Sequence, residues 1–425
     1  MNIKKRRKME RLLVSVIMLF FFSAFLLASF KEGVDSKGLI LSVVVPLFIY
    51  VATLWLPRFF SADTLLLALA NFLCALGVLI LYITDVQAGT NRGVYQAIYY
   101  GIGIVVMLVC IGAVRYIHKW RCFIWLVAGG SLLLMALPLV VGVEVNGATN
   151  WIKIGKMSLQ PSELVKIALL FVLSHFMSRR RFIPWFLYAF ICLLLLMYQQ
   201  DLGTALIYYF TTLFLFFGAT GKLLVTALGL IGSAGGAIAG YNMFAHVKKR
   251  VAIWHNPWIY YETSGYQIAQ MLMAVASGGA FGVGLGLGAP LVIPAYFTDC
   301  IYAVICEQFG IIFGVLVLVM YVILVLRGTT IATSAKRSFH GLLAMGATVM
   351  LGLQTFVIIG GVLKLIPLTG VTMPFVSYGG TSLLSCMGLI GLLQGVNSLN
   401  QTDRAKEEKR YEQSHEMENE QQVVA

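Results

Sequence analysis

Apolar residues in this chain gather into long, nearly unbroken runs, without the alternation of a half-buried strand or the narrow stripe of a soluble amphipathic helix. A helix needs roughly 17–25 apolar residues to cross a bilayer. Runs of that kind fall near 12–30, 39–57, 64–84, 94–116, 122–142, 162–178, 182–199, 203–219, 222–241, 301–326, 342–361 and 381–398. The pattern predicts an all-α polytopic membrane protein with about twelve transmembrane helices. The first run is too long for an ordinary signal-peptide core and no A-x-A site follows it, so it reads as a retained helix.

Polar positions fix the expected topology. The cationic clusters "KKRRK" (4–8), "RYIHKWR" (115–121), "SRRR" (178–181), "KR" (336–337) and "RAKEEKR" (404–410) all fall on one side of a twelve-span chain. The bias of Lys and Arg toward cytoplasmic loops makes that side the cytoplasm and places both termini there. Two stretches then lie outside and read as non-helical: Glu144–Gln160, and a large loop from about 242 to 299 ahead of the helix starting near 301. The tail from 399 to 425 is charged and rich in Gln and Glu, the composition of a disordered segment.

Composition agrees with the pattern. The chain is 59% hydrophobic and 12% charged, with a mean hydropathy of +0.86, where soluble domains carry roughly 25% charge. That much apolar surface requires lipid as solvent. The net charge of +13 sits largely in the inter-span clusters, so it points to topology and not to a nucleic-acid partner. The seven cysteines are scattered through apolar runs with no metal-ligand spacing, and read as small hydrophobic residues.

Ionisable groups at membrane depth are costly, so each is a candidate for function. Glu163 and Lys166 in "LQPSELVKIALL" stand three residues apart on one helical face and can pair. Pro161 suits the first turn of that helix. Asp201 in "YQQDLGTALIYY" fits a helix N-cap, and Lys364 lies where it could snorkel to the interface. Thr298 and Asp299 are also good N-cap types ahead of "CIYAVIC", with Glu307 two turns deeper. An aspartate at that boundary would have a raised pKa and could serve as a general base. The glycine run 278–288 lacks the Lys-Ser/Thr of a P-loop and reads as a tight, re-entrant or interfacial loop. Asp299, Glu307 and Asp201 offer oxygens to a divalent cation such as Mg or Mn, yet no spacing demands one.

The stretches "NGATNWIKIG", "LQPSELVKIALL", "QQDLGTALI", "VAIWHNPW…GYQIAQ", "SGGAFGVGLGLG", "TDCIYAVICEQFG" and "LIPLTGVTMPFVSYGGTSLL" occur in one order across roughly 64–398. Together they resemble the SEDS family, which includes RodA, FtsW and SpoVE. The resemblance implies a ten-helix catalytic core over 63–398, with residues 1–62 adding a basic segment and an extra transmembrane hairpin. It implies a peptidoglycan glycosyltransferase that polymerises lipid II into glycan strands at the outer face of the bacterial cytoplasmic membrane. Its expected partners are a class B penicillin-binding protein and other elongation or division membrane proteins.

The family's essential aspartate falls on Asp299, which the resemblance makes the general base. Lys248, Lys249 and Arg250, with Lys153 and Lys156, are then expected to hold a lipid-linked diphosphate, and Trp151, Trp254 and Trp258 to sit at the interface and stack on sugars, Trp151 as a substrate-binding position. Gln160, Ser162, Glu163, Lys166, Asp201, Thr298, Lys364 and Ser377 lie in the matching motifs as expected substrate-contacting positions, and Glu307 as a supporting carboxylate. Three departures stand out: Gln200 replaces the usual proline before Asp201, Phe297 occupies a position often polar, and Gln308 removes a second carboxylate beside Glu307. A lipid II flippase and a non-catalytic activator of the transpeptidase are the competing readings.

Overall fold

A computed structural model describes residues 3–31, 35–116, 123–145, 148–155 and 157–424. Helices α1 (Ile3–Ser29) and α2 (Ser36–Tyr50) pair antiparallel, and α2 continues through a π turn and a 3₁₀ turn to Arg58. Then follow α3 (Thr64–Ala88), α4 (Arg92–Tyr116), α5 (Phe123–Ala136) and its short extension α6 (Pro138–Val141). A small antiparallel sheet of β1 (Val143–Val145), β2 (Ala148–Ile154) and β3 (Met157–Leu159) leads into α7 (Pro161–Ser178), α8 (Phe182–Tyr198), α9 (Leu202–Thr220) and α10 (Leu223–Met243). The chain ends with α11 (Ala245–His255), α12 (Tyr266–Gly278), α13 (Ile301–Thr333), α14 (Ser338–Val362) and α15 (Gly380–Val424).

Among the described residues, eleven helical segments are long and apolar enough to span a membrane, and the 17-residue Phe182–Tyr198 is a shorter apolar twelfth. The predicted spans and the all-α class therefore hold. One outer stretch is non-helical as expected, and two other segments differ from expectation. The described residues between Val143 and Leu159 form strands rich in β-branched and aromatic side chains: Trp151 lies opposite Val143, and beyond Gly155 Leu159 lies opposite Ile152 and Met157 opposite Ile154. The 242–299 segment carries α11 and α12 instead of being wholly non-helical. Residues from 399 continue α15 as helix to Val424; Lys, Arg, Glu and Gln are good helix formers, and no Gly or Pro interrupts them.

At the centre, α3 is buried on every side along its spanning window, with α1, α4 and α13 among the helices packed on it. A fully enclosed ion pair joins α7 to α14 and α15. Lys166 Nζ donates to both Glu163 oxygens (2.8 and 2.9 Å) and to Gln354 Oε1 (3.0 Å), and Ser385 Oγ donates to Glu163 Oε2 at 2.8 Å. Lys166 is fully buried; such a charge is tolerable only because its donors are used.

Helix α13 is broken at Gly310, where φ is +86°. The glycine-rich segment fills the break. Ile311 N donates to Gly279 O (2.9 Å), while Val283 N and Gly284 N donate to Glu307 O (2.9 Å) and Gln308 O (3.1 Å). Backbone groups that the break frees are thus paired within the protein, as membrane depth requires. A Cβ at Gly310 would lie 2.2 Å from Ala280 O, so no side chain fits without moving the segment.

Two stability outcomes follow. Lys166→Met strands the Glu163 carboxylate and is expected to cost about 3–5 kcal/mol. The double variant with Glu163→Gln should recover part of that loss, read from thermal midpoints of the purified protein. Gly310→Ala should lower the midpoint through both positive-φ strain of roughly 1–3 kcal/mol and the clash with Ala280. An unchanged midpoint would mean that the break is not needed.

Candidate active site around Asp299

The connections α1–α2, α3–α4, α6–α7, α8–α9, α10–α13 and α14–α15 lie at one end of the bundle, and contacts among them build the site. The turn Tyr296–Cys300 is set by Ala295 in a left-handed conformation (φ +54°), whose carbonyl accepts from Thr298 N (3.0 Å) and Cys300 N (3.3 Å). Cys300, not Asp299 or Thr298, stands at the N-cap of α13, and no side chain caps it. The expected capping job is therefore not what holds Asp299. The reason is geometric: the tight turn around Ala295 delays the first helical residue to Ile301.

The α14–α15 connection, residues 363–379, braces this turn. Tyr378 N donates to Phe297 O (2.8 Å), and Ser377 Oγ donates to Thr298 O (2.6 Å) while accepting from Met373 N (2.8 Å). Gln96 Nε2 supports the carbonyl of Ser377 at 3.0 Å. Further along, Gln354 Nε2 donates to Thr372 O (2.8 Å), so the buried Lys166 is linked through Gln354 to the same connection. Tyr321 Oη holds Pro374 O at 2.6 Å. On the other flank, Gln267 of α12 donates to Cys300 Sγ at 3.2 Å.

Asp299 is partly enclosed, with Gly370 (φ +77°) packed against it: a Cβ added there would lie 3.8 Å from Oδ2. Burial pushes its carboxyl up to about 6, against the opposing pull of the Arg250 charge and of a hydrogen bond from Thr298. Arg250 is held in place by donating to Thr369 O at 3.2 Å. The site is thus a carboxylate poised near neutrality with one guanidinium beside it.

The other candidates distribute around this centre. Lys248 and Lys249 are exposed on α11 beside Arg250, with Lys248 Nζ 5.8 Å from the Tyr241 ring. Lys153 is exposed and Trp151 half-buried on β2, Trp258 is exposed, and Lys156 lies outside the described residues. Lys364 has a left-handed backbone (φ +59°), and its carbonyl accepts from Trp254 Nε1 at 3.0 Å. Asp201 caps α9 as expected, Oδ1 accepting from Thr204 N (3.1 Å). Its Oδ2 accepts from Asn150 (2.7 Å) and Gln160 (3.0 Å), tying the sheet to α9. Ser162 is buried and its carbonyl accepts from Tyr208 Oη (2.7 Å).

Glu163 and Lys166 are sealed in the pair described above and reach the 363–379 connection through Gln354 and through Ser385 and Ser382. Glu307 Oε1 accepts from Ala289 N at 3.1 Å and so anchors the glycine-rich segment. Asp201, Glu307 and Asp299 are each engaged by different groups, and no set of three or more His, Cys, Asp or Glu side chains able to hold a metal occurs among the described residues. Sequence reading missed Gln354, Thr369 and Gly370, and also Arg92, whose guanidinium lies over the Phe297 ring at 3.9 Å. Arg92 carried no distinguishing signal, since a cation at the end of an apolar run is usual.

The six described cysteines are free and buried; Cys122 lies outside the described residues.

Residues 63–402 match the family model described as cell cycle protein, FtsW/RodA/SpoVE. Stage V sporulation protein E of Bacillus subtilis (strain 168) is 33% identical over 359 residues, covering 79% of this chain and 97% of that protein. Peptidoglycan glycosyltransferase RodA of Mycobacterium tuberculosis (strain H37Rv) is 31% identical over 364 residues, covering 79% and 78%. Among solved structures, a chain of a peptidoglycan synthase complex that coordinates polymerization and crosslinking superposes with a TM-score of 0.67 at 27% identity, covering 80% of this chain and 98% of that one. The rod shape determining protein RodA of Thermus thermophilus gives 0.60 at 27% identity, covering 80% and 98%. The chain belongs to the FtsW/RodA/SpoVE family of cell cycle proteins.

Proposed function

We propose that this protein is a peptidoglycan glycosyltransferase that joins lipid II units into glycan strands, with Asp299 as general base. The observation that carries the reading is the state of Asp299: freed from helix capping, fixed by the 363–379 connection, and raised to about 6 beside Arg250. A base of that strength is mostly ionised at neutral pH and still basic enough to take a hydroxyl proton in the transition state.

The chemistry is one displacement. Asp299 takes the proton of the acceptor sugar's 4-hydroxyl as that oxygen bonds to the donor's anomeric carbon. The bond from that carbon to the diphosphate breaks on the opposite face, inverting configuration, and the lipid diphosphate leaves with the electron pair. Arg250, with Lys248 and Lys249 on the same helix, supplies positive charge to the leaving diphosphate. No step is assigned to a metal ion.

The site end faces outward in this reading. Support comes from charge: Arg115, Arg179–Arg181, Lys336 and Arg337 all lie at the opposite end. A class B penicillin-binding protein is the proposed partner, in line with the synthase complex to which the chain is similar. A flippase reading finds less support, because the Glu163–Lys166 pair that could line a transport path is closed and satisfied by Gln354 and Ser385.

The test is polymerisation of labelled lipid II by the purified protein, with and without its transpeptidase partner. Asp299→Asn should reduce the rate by at least a hundredfold, the lower range of general-base contributions being roughly 10², while the protein stays folded. Full activity in that variant would sink the assignment. The wild-type rate should rise with pH through about 6 and be lost below it, because the base must be ionised.

Stability should run the other way. Burial favours the neutral acid, so the stability associated with protonated Asp299 is present below the ordinary carboxyl value and lost as pH rises through about 6. Asp299→Asn should therefore raise the thermal midpoint at pH 7.5, with the gain shrinking as pH falls from 6 toward 4.

A further inference from the structure

Arg92, at the start of α4, is placed beside the Asp299 turn by a tyrosine hydroxyl and two aromatic faces, with no carboxylate in contact among the described residues. Its Nη1 donates to Tyr296 Oη at 2.6 Å, and its guanidinium carbon lies 3.9 Å from the Phe297 ring centroid and 5.5 Å from that of Tyr296. Phe297 packs edge-on against Tyr378, with centroids 6.1 Å apart. No carboxylate is within ion-pair distance of Arg92 among the described residues. Asp85, in the last turn of α3, accepts from Gly93 N (2.6 Å) and Thr90 Oγ1. Arg92 is only partly buried and keeps most of its N–H donors unused. A guanidinium stacked on aromatic faces, with spare N–H donors and no ion-pair partner among the described residues, is suited to bind an anionic ligand.

We infer that Arg92, with the rings of Tyr296, Phe297 and Tyr378, forms a second subsite for a lipid-borne sugar diphosphate, separate from the one at Arg250. The inference rests on the proposed reaction. Joining two lipid-linked sugars brings two diphosphates to one carboxylate: one departs, and the other stays on the product. Arg250 is fixed by Thr369 O and acts directly on Asp299, which suits the departing group. Arg92 is fixed by a different element, on the residues that immediately precede Asp299. A guanidinium binds a diphosphate through paired N–H donors, and the aromatic faces around it suit the apolar face of an adjoining sugar. Phe297, which looked like a lost polar helper, becomes the platform on which a cation from α4 is stacked.

The experiment measures lipid II polymerisation against lipid II concentration for wild type, Arg92→Lys, Arg92→Ala and Tyr296→Phe, each checked for an unchanged thermal midpoint. Arg92→Ala should raise the half-saturating concentration about tenfold and change the maximal rate less than threefold. Arg92→Lys and Tyr296→Phe should fall between. A purely structural role would instead lower the maximal rate and displace the acid limb of the pH profile at unchanged half-saturation. That outcome, or no change, overturns the subsite.

A second arm measures binding of labelled undecaprenyl diphosphate, which carries no sugar, to the full chain in neutral phosphatidylcholine vesicles and in vesicles rich in phosphatidylglycerol. Weaker binding by Arg92→Ala in the neutral vesicles supports the subsite, even if wild type fails to polymerise and the proposed activity falls. An effect of Arg92 that appears only with phosphatidylglycerol assigns the residue to the membrane surface and overturns the subsite.

Discussion

Backbone that leaves a helix at membrane depth must find its hydrogen-bond partners inside the protein, because hydrocarbon offers none. Two irregular segments obey this constraint here, and the site depends on both. The glycine-rich segment pairs with the broken turn of α13 at Gly310, and the 363–379 connection pairs with the Tyr296–Cys300 turn. Each segment is stitched by backbone donors and acceptors, so neither can shift without unpairing the other side. Asp299 is therefore held by other residues' hydrogen bonds, and its own carboxylate remains available for chemistry.

The buried ion pair takes on meaning within this frame. Glu163 and Lys166 do not approach Asp299, yet Lys166 grips Gln354, and Gln354 grips Thr372 in the connection that braces the Tyr296–Cys300 turn. A sealed ion pair adds little net stability compared with apolar packing, but it tolerates only one arrangement of its partners. Its value is geometric. It sets where α7, α14 and α15 stand relative to the connection between the last two.

Much of this was legible in the sequence. The spans could be read because lipid demands uninterrupted apolar length, and Asp201 could be read because an N-cap is a local matter of residue type. Pairing of Glu163 with Lys166 followed from helical spacing alone. The capping expectation for Thr298 and Asp299 failed because residue type says nothing of the left-handed turn at Ala295, which leaves Cys300 at the N-cap. Helices α11 and α12 were hidden because they are short and lack a membrane-length apolar run. Arg92 was invisible for a different reason: its neighbour Phe297 lies some two hundred residues away in the chain, and only folding brings them together.

The hairpin ahead of the family region has a further consequence. Lys31, just beyond α1, donates to Gly286 O in the glycine-rich segment, and Asp35, which caps α2, accepts from Tyr82 of α3 at 2.9 Å. Residues outside the 63–402 match thus reach into the glycine-rich segment within it. The hairpin is consequently part of the enzyme's scaffold and not a detachable anchor. Exchanging the 63–402 region with that of a relative would part the glycine-rich segment from the Lys31 contact that holds it here.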